Sequence, residues 1–566
     1  MHECKTDPAV IERALAPVVF VTIAAGALLL GQLASGDNSP SLTLTFLAKQ
    51  DIWLVLAGLL LSVASLFRIP SQTVLSVIGT RTIFVALVIM AIAAWIGRYF
   101  VMLDYDMSRD EQMASFDAII FSTGRLVAPM PEPWREHADA LNTLFMLPAA
   151  DRFAWISGYL PMNAAIRAVF EQVGAANLVG PLAILLGGIA LWACARRIWP
   201  DDRSAAVLAL ILFIGSAQVL VNGMTSYAMP LHLTANLIWL WLFLQNRFRM
   251  DVLALCFGFV AVGLHQPVFH PLFALPILIG VVIKRDWRRA AIFFFGYLFI
   301  GAFWLWWPSF AAELVSGPSH SRGGVQALAV AEDILRGWSG GLGEMMANLV
   351  RFVSWQHLLL LPLLLIGVFK IAEDRLMAGI AGGIVLTIIV VAIMVPYQGH
   401  GFGYRYLHGL IGNAILLAVF GWQKVRGEFP QWNSLILRTT VSGLLVILPL
   451  QLYFAHQFYA PFAQASRAID ATDADYVLVK STAAPFAQDL VINDPYLRNR
   501  PIRLLEELTG AELLEKICRD GATIFMLPEP HYTRIREYFI GKKHKPATHE
   551  NEEPVASIGK AGCTVQ

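Results

Sequence analysis

Long apolar runs, each bounded by short charged segments, are the feature that most constrains the fold of this 566-residue chain. A helix that crosses the hydrocarbon core of a bilayer needs about 20 mainly apolar residues. The chain is 57% hydrophobic and 15% charged, whereas a soluble domain has about 25% charged residues. Because lipid offers a backbone no hydrogen-bond partners, the pattern predicts an all-α, polytopic bundle of transmembrane helices.

Thirteen segments of the sequence are read as membrane spans. They lie at residues 15–34, 51–67, 79–101, 177–195, 204–221, 229–246, 251–264, 271–284, 290–308, 356–370, 376–395, 406–422 and 437–455. The segments 251–264 and 271–284 are short, and the prolines between them break helices. This pair is therefore either two tilted helices joined by a tight external turn or one re-entrant element.

The distribution of basic residues predicts the orientation of the bundle. Short cytoplasmic loops of membrane proteins carry an excess of Lys and Arg. With the N-terminus in the cytoplasm, the short external loops hold only Lys49 and Arg405. The cytoplasmic loops hold Arg68, Arg81, Arg196, Arg197, Arg203, Arg247, Arg249, Lys284, Arg285, Arg288, Arg289, Lys370, Arg375, Lys424, Arg426 and Arg438. This asymmetry places the C-terminal region outside the cytoplasm.

The predicted topology divides the chain into four parts. They are an N-terminal two-helix extension (1–78), a transmembrane module with long external loops at 102–176 and 309–355 (79–455), a small external α/β domain (456–540) and a disordered tail (541–566). In the α/β domain, Ala474–Lys480 and Ala522–Leu527 have the pattern of strands, and Arg503–Cys518 has that of a helix. Glycine-rich segments at 317–324 and 337–343 indicate either a mobile lid or a disordered loop.

Charge and cysteine usage exclude several classes of site. The net charge of +1 does not suggest a nucleic-acid partner. No CxxC or Cys/His cluster appears, so neither zinc nor an iron–sulfur site is expected, and no glycine-rich phosphate loop indicates a nucleotide. Cys194 and Cys256 lie in apolar runs and are expected to be buried. Cys518 and Cys563 are both external and able to pair, but free thiols are expected.

Four carboxylates at the end of the third span are the candidate catalytic residues. Asp104, Asp106, Asp110 and Glu111 fall within eight residues. Moving a sugar from a lipid phosphate to a hydroxyl group needs a base to take the hydroxyl proton. A second carboxylate can orient the acceptor or hold a divalent cation such as Mg²⁺ or Mn²⁺, for which Asp110 and Glu111 are the candidate ligands. The alternative is that these carboxylates are only solvated residues at a helix end.

Two amphipathic stretches follow these carboxylates. The first continues from Gln112 and ends at Gly124, a usual residue at a helix C-terminus, and the second runs from Asn163 to Val173. Helices of this kind are expected to lie along the membrane surface. Asp117 on the first helix is then exposed, so its replacement should be mild. Arg125, directly after the glycine, is a candidate to bind substrate.

The stretch Asp110-Glu111 … Ala118 … Gly124-Arg-Leu … Pro129, directly after a span, resembles the first external loop of the GT-C superfamily. These membrane glycosyltransferases use polyprenyl-phosphate sugars, and the most similar branch includes protein O-mannosyltransferases and the lipid A aminoarabinose transferases. The resemblance implies Asp110 as catalytic base with Glu111 beside it, although Asp104 and Asp106 could take that role. In the family this loop usually follows the first span, whereas here it follows the third.

The segment Gly399–Leu407 resembles a late external loop of the same superfamily. Its glycines allow close approach of the backbone to a ligand. Arg405, flanked by Tyr404 and Tyr406, would place a guanidinium at headgroup level, where it can bind phosphate through two hydrogen bonds. The alternative is an arginine that only extends to the interfacial water.

His265 and His270 lie near a predicted external turn and are further candidates. Neutral imidazoles there could bind a divalent metal or a phosphate. The alternative is that both are structural.

Taken together, the sequence predicts a glycosyltransferase in a bacterial inner membrane that moves a hexose or pentose, with inversion, from a polyprenyl phosphate to an external glycan, lipid or protein. Two rivals remain open. One is a transporter or flippase, although such proteins place charges inside the membrane and often show internal repeats. The other is a polysaccharide polymerase or ligase that uses a lipid-diphosphate oligosaccharide.

Overall fold

The computed structural model of the chain is mainly helical. It describes residues 6–35, 41–67, 75, 78–148, 152–316, 341–395, 397–519, 521–541, 558 and 561–566. The glycine-rich segment 317–324 and most of 337–343, where a lid was considered, lie outside the described residues.

The described part of the first 316 residues contains fourteen α-helices. They are α1 (Pro8–Ser35), α2 (Leu42–Phe46), α3 (Ile52–Ser65), α4 (Thr80–Phe100), α5 (Arg109–Ser122), α6 (Glu132–Arg135), α7 (Met162–Glu171), α8 (Val179–Ile198), α9 (Arg203–Ile214), α10 (Ala217–Asn222), α11 (Met229–Leu244), α12 (Phe248–Val262), α13 (Phe269–Ile283) and α14 (Trp287–Ser316). A five-residue π-helical segment, Leu47–Asp51, joins α2 to α3.

The remaining helices and the strands follow. The helices are α15 (Gly341–Ser354), α16 (Leu360–Val368), α17 (Arg375–Met394), α18 (Ile411–Val425), α19 (Gln431–Ser442), α20 (Leu448–Asp470), α21 (Ala511–Cys518) and α22 (Glu529–Ile540). The strands are β1 (Ala128–Pro129), β2 (Ala154–Trp155), β3 (Tyr476–Val479), β4 (Ile502–Leu505), β5 (Thr523–Met526) and β6 (Thr564–Val565).

Each of the thirteen predicted spans overlaps at least one described helix, and the span 204–221 is divided between α9 and α10. The helices differ in length. In the described part of the chain, seven helical segments are long and apolar enough to cross a membrane: 8–34, 42–65, 80–100, 176–198, 287–316, 375–394 and 431–470. Three further apolar helices, α9, α11 and α13, are shorter. The short pair at 251–264 and 271–284 forms two separate helices, α12 and α13, rather than one continuous element.

The chain forms two compact units. The first comprises residues 1–97, 177–305 and 324–454, and the second comprises 98–176, 306–323 and 455–566. The predicted division had assigned the first external loop to the transmembrane module and kept the C-terminal region apart. In the structure, residues of that loop and of the C-terminal region belong to one unit, because they share a hydrophobic core.

Helix packing in the first unit depends on close backbone contact. α16 packs against α18, and a Cβ atom built at Gly367 or at Gly421 would overlap backbone atoms of the facing helix. Small residues permit this approach in membranes, where van der Waals packing replaces the hydrophobic effect between helices. Cys194 on α8 is buried as expected, but Cys256 on α12 is exposed.

The second unit contains a four-stranded parallel sheet with strand order β4-β3-β5-β6. Its core includes Ile502 and Leu504 of β4, packed with Met113, Phe116 and Ile120 of α5. The expectation that α5 lies on a membrane surface was therefore wrong. The apolar face of α5 packs against protein rather than lipid. The periodicity of a single segment shows that a helix has an apolar face but not what covers that face.

Three expectations for the C-terminal region need correction. Residues 502–505 form strand β4, so the predicted helix over Arg503–Cys518 begins only at Ala511. The predicted disordered tail is ordered at its end, where β6 pairs with β5. Cys518 and Cys563 form a disulfide, so the expectation of free thiols was wrong. Each of these features depends on contacts between residues that are distant in sequence, and such contacts cannot be predicted from sequence spacing.

Candidate functional site

The backbone after α4 turns so that two carboxylates face the end of that helix. Leu103 and Asp104 have φ angles of 58° and 52°, a region that non-glycine residues rarely adopt. The Asp104 amide donates to the Arg98 carbonyl at 2.9 Å and closes the turn. Strain of this kind often accompanies functional sites.

Arg98 holds both of the carboxylates that this turn presents. Its Nε lies 3.1 Å from Asp104 Oδ1, and an Nη lies 2.7 Å from Asp106 Oδ1. The Arg98 side chain is 8% exposed, that of Asp106 14% and that of Asp104 49%. Ser115 Oγ donates to the other oxygen of Asp106 at 2.5 Å. Both carboxylates are therefore neutralised and oriented by protein groups.

The next two carboxylates lie in the first turn of α5. Ser108 caps this helix: its Oγ accepts a hydrogen bond from the Glu111 amide, and Glu111 Oε2 accepts one from the Ser108 amide, both at 3.3 Å. This capping box explains why a helix begins here. Asp110, the second residue of the helix, lies where the helix dipole favours negative charge.

Glu111 is completely buried and is bound by protein donors. Besides the cap, its Oε2 accepts a hydrogen bond from the Tyr459 hydroxyl at 2.8 Å. Burial and the charge of Asp106 raise the pKa of Glu111 to about 7, against the opposing charge of Arg98. With its carboxylate engaged in this way, Glu111 does not fit the expected role of a metal ligand beside Asp110.

Asp110 is half-buried and has a simpler environment. The Tyr159 hydroxyl, from the loop that precedes α7, donates a hydrogen bond to Asp110 Oδ1. A donor to the carboxylate favours its charged form. Asp110 therefore combines partial access with a position at a helix N-terminus, which suits a general base.

Asp117 differs from its expected exposure. It is 2% exposed, and it accepts hydrogen bonds from the amide and Oγ of Ser157 at 3.1 and 2.5 Å. Burial raises the pKa of Asp117 to about 7. The prediction that replacing Asp117 has a mild effect assumed a solvated side chain. Because Asp117 is buried and anchors the loop at Ser157, that assumption does not hold.

The structure adds residues that the sequence reading did not select. Arg167, on the predicted second amphipathic helix, is 3% exposed, and its charge interacts with Asp106 and Glu111. Burial lowers its pKa to about 10. Tyr159, Tyr459 and Asp489 reach the same region from distant segments, so no local motif could identify them.

One group of residues has the spacing of a cation site. Ligand atoms of Glu136, His137 and Glu512 lie within 4.8 Å of one another, in the described part of the chain. The two glutamates are exposed and the histidine is half-buried. This group differs from the predicted Asp110–Glu111 pair. Arg125, expected to bind substrate, is exposed just after Gly124, whose φ of +76° ends α5 as predicted.

The glycine-rich segment before α18 lies in the first unit and folds around Arg405. Gly399, Gly401 and Gly403 have φ angles of 69°, 138° and 64°. A Cβ at Gly401 would overlap the Arg405 side chain. Gly401 is therefore required by the packing of the loop on its own arginine, whereas a Cβ at Gly403 would overlap the Gln218 side chain.

Arg405 is buried rather than at an exposed headgroup level. It is 4% exposed, its guanidinium stacks 4.5 Å from the Tyr227 ring, and it donates to the Gln398 carbonyl. Neither predicted alternative, an open phosphate ligand or an arginine extended to water, describes this geometry. The guanidinium lines a cavity of about 20 Å³ together with Tyr406, while Tyr404 is fully buried.

A buried ion pair supports this loop. Arg351 Nε lies 3.2 Å from Asp51 Oδ2, both side chains are 0% exposed, and Arg351 also donates to the Gly401 carbonyl at 2.7 Å. Ser354 and Trp355 each donate to Asp51 Oδ1 at 2.8 Å. Asp51 lies in the predicted N-terminal extension, which is thereby joined to the loop.

The two histidines differ in their surroundings. His270 is completely buried, and its ring nitrogens hydrogen-bond to Asn236 Oδ1 and to the Tyr297 hydroxyl, each at 2.7 Å. Both nitrogens are occupied, so His270 is structural. His265 is half-buried in the turn between α12 and α13.

Comparisons with known proteins identify remote structural neighbours. No family model and no curated protein matches the sequence. ArnT from Cupriavidus metallidurans in the apo state is 13% identical, with a TM-score of 0.44, over 72% of this chain and 84% of that chain. ArnT bound to undecaprenyl phosphate is 14% identical, with a TM-score of 0.38, over 84% and 89%.

The oligosaccharyltransferase of Archaeoglobus fulgidus, tethered with an acceptor peptide, is 10% identical, with a TM-score of 0.38, over 73% of this chain and 63% of that chain. These similarities are remote.

Proposed function

We propose that the chain is a membrane glycosyltransferase that moves a hexose or pentose from a polyprenyl phosphate to the hydroxyl group of a glycan, lipid or protein outside the cytoplasm. The observation that carries the proposal is the carboxylate site at the end of the apolar helix α4. Asp104, Asp106, Asp110 and Glu111 lie there together, and protein donors hold each of them. The resemblance of this segment to GT-C transferases supports the same reaction.

In this proposal Asp110 is the general base. It removes the acceptor proton while the acceptor oxygen attacks the anomeric carbon, and the bond between that carbon and the phosphate oxygen breaks with inversion. Tyr159 orients the Asp110 carboxylate through its hydroxyl group. Arg98 is ion-paired with Asp104 and Asp106 and fixes both carboxylates nearby, so we assign these two an electrostatic role rather than proton transfer.

Arg405 is proposed to bind the donor phosphate. Its guanidinium is buried and stacked on Tyr227, and a guanidinium can bind phosphate oxygens through two parallel hydrogen bonds. Binding requires the guanidinium to exchange its hydrogen bond to the Gln398 carbonyl for phosphate oxygens. The proposed orientation, from the loop charges, has the N-terminus in the cytoplasm of a bacterium and the second unit in the periplasm.

The test is transfer of label from a panel of radiolabelled polyprenyl-phosphate sugars by the purified protein in lipid with membrane extract. Wild-type protein should transfer label, and Asp110→Asn should reduce the rate by about 10²–10⁴-fold, as is usual for a general base. The matched control is Asp473→Asn, which changes an exposed carboxylate of the same unit. The proposal is wrong if no donor yields labelled product or if Asp110→Asn transfers label at the wild-type rate.

The same assay distinguishes the rival classes. A transporter or flippase would move the labelled lipid between leaflets without forming a new glycosidic bond. A polymerase or ligase would accept only lipid-diphosphate oligosaccharides. The carboxylates of the second unit favour the transferase, because a transport path needs charges within the spans.

A further inference from the structure

A small polar cavity lies beside the glycine-rich loop, entirely within the first unit. Its volume is about 20 Å³, which admits one water-sized group, since a site of about 10–15 Å³ holds one water. Helix α11 supplies His232 to its wall, helix α17 supplies Thr387, and Arg405 lines it from the loop. These three side chains come from segments far apart in sequence, so no motif could group them.

His232 is a buried histidine whose ring nitrogens have no hydrogen-bond partner among the residues that the structure describes. It is 5% exposed and lies in the first turn of α11. Asn236, one turn later, also lines the cavity, but its amide nitrogen donates to the Gly409 carbonyl at 2.9 Å and its oxygen is hydrogen-bonded to His270. Since a neutral imidazole has one N–H donor, His232 can still bind a group in the cavity.

Thr387 is a second buried side chain of this kind. It is 1% exposed, and its hydroxyl oxygen has no partner in the described part of the chain. A threonine inside a helix can bond to a carbonyl of the preceding turn, as Thr439 does to Leu435 at 2.7 Å. Buried polar groups in proteins are nearly always hydrogen-bonded. Two without a protein partner on the wall of one cavity therefore indicate a ligand that binds both.

The charge of the wall favours an anion. Arg405 contributes a guanidinium, and the residues that line the cavity in the described part of the chain include no Asp or Glu. Met229, the first residue of α11, lines it as well, and the N-terminus of a helix favours negative charge. A metal cation at His232 would be repelled by the guanidinium. The donors suit an oxygen of a phosphate group instead.

Phe269 and Tyr406 form the part of the wall that reaches the surface. Both residues are half-buried, and their rings are stacked with centroids 5.3 Å apart. Phe269 is the first residue of α13, and His232 lies in the first turn of α11. The cavity therefore lies behind a partly exposed aromatic pair, near the ends at which two apolar helices begin. A lipid headgroup can reach such a position.

We propose that His232 and Thr387 complete, together with Arg405, a subsite for one oxygen of the phosphate group of the lipid donor. This deepens the proposed function and rests on it. His232 donates through an imidazole N–H and Thr387 through its hydroxyl group, while the charge of Arg405 offsets that of the phosphate. The other phosphate oxygens and the lipid chain remain on the side of Phe269 and Tyr406. Free inorganic phosphate offers the same oxygen, so the test must separate the two sources.

Binding of labelled undecaprenyl phosphate to the purified full chain in phosphatidylcholine nanodiscs tests the subsite without requiring transfer. Thr387→Val keeps the shape of the side chain and removes the hydroxyl group. It should raise the Kd roughly tenfold or more, because hydrogen bonds to charged groups are the stronger ones. His232→Leu, which removes both ring nitrogens, should have a similar effect. The matched control is Thr439→Val, which removes a buried hydroxyl bonded within its own helix and should leave the Kd unchanged.

Two further ligands identify the bound group. Undecaprenol, which lacks the phosphate, should bind wild-type protein and both variants with the same Kd. Inorganic phosphate should displace the labelled lipid from wild-type protein only at a far higher concentration than unlabelled undecaprenyl phosphate does, because it lacks the apolar chain. Displacement by both at the same concentration would assign the subsite to free phosphate and overturn the lipid headgroup as its ligand.

The proposal is wrong if undecaprenyl phosphate binds folded Thr387→Val and His232→Leu with the wild-type Kd, since the cavity then holds water only. An equal loss of affinity for undecaprenol would also overturn it, because the variants would then act on the structure of the lipid site and not on a phosphate contact. Absence of transfer in wild-type protein would refute the proposed function, whereas the Kd values still decide whether the subsite exists.

Discussion

Replacing Glu111 with glutamine should change how the stability of the protein depends on pH. Glu111 is 0% exposed, and its oxygen accepts hydrogen bonds from Ser108 and Tyr459. Burial, assisted by the charge of Asp106, raises its pKa from 4.5 to about 7. The folded state therefore binds the Glu111 proton more tightly than the unfolded state does.

The sign and size of the effect follow from this difference. A carboxyl group whose pKa is raised by folding stabilises the protein fully below its unfolded pKa, and this stabilisation is lost as the pH rises through the folded pKa. At about 1.4 kcal/mol per pKa unit, a change from 4.5 to about 7 is worth about 3 kcal/mol. Wild-type protein should thus lose this contribution between about pH 4.5 and pH 7.

Glutamine keeps the shape and an acceptor oxygen but does not titrate. As the pH rises from about 4.5 to 7, the free energy of unfolding of wild-type protein should fall by about 3 kcal/mol more than that of Glu111→Gln. Asp117 and Asp489 also have raised pKa values, but they are present in both proteins, so their contributions cancel in the comparison. The free energy of unfolding can be measured by pulse proteolysis in detergent across a pH series.

The matched control is Glu515→Gln, which changes an exposed glutamate of the same unit. It should have the pH dependence of wild type. If Glu111→Gln also follows the wild-type curve, then Glu111 does not take up a proton in the folded state, and the interpretation of this buried carboxyl group is wrong.

Three further predictions follow from individual contacts. Asp117→Ala should destabilise the protein by about 1–3 kcal/mol per hydrogen bond left unmade at Ser157. Thermal unfolding measures this effect, and an unchanged unfolding temperature would contradict the anchoring role. Cys518→Ser should remove a disulfide with a sequence separation of 45 residues and cost about 4 kcal/mol on the chain-entropy model, while mass mapping without reductant should detect no free thiol at Cys563 in wild type. Arg405→Lys should raise the KM for the lipid donor, because lysine cannot form the paired hydrogen bonds of a guanidinium, and an unchanged KM in a folded variant would refute phosphate binding.

The sequence predicted much of the local structure, because local structure depends on short-range patterns. Apolar runs marked the helices, and Gly124 marked the end of α5, where a left-handed residue follows the helix. The glycines at 399, 401 and 403 signalled an unusual backbone, which the structure has. Each of these signals is carried by neighbouring residues, so it can be read without knowledge of the fold.

The partners of the candidate site could not be read in the same way. Asp110 was selected from a motif, but Tyr159 meets it only after segments distant in sequence have folded together. The burial of Asp117 and Arg405 likewise reversed what their sequence neighbourhoods indicated.

What the sequence determined by itself is that the chain forms membrane helices and places acidic residues at the end of one of them, since periodicity and hydropathy are properties of consecutive residues. Only the tertiary structure decided which carboxylates are buried, paired or open. The charge of a carboxylate depends on the donors and charges around it in space, and here those come from residues up to several hundred positions away, as Tyr459 does for Glu111.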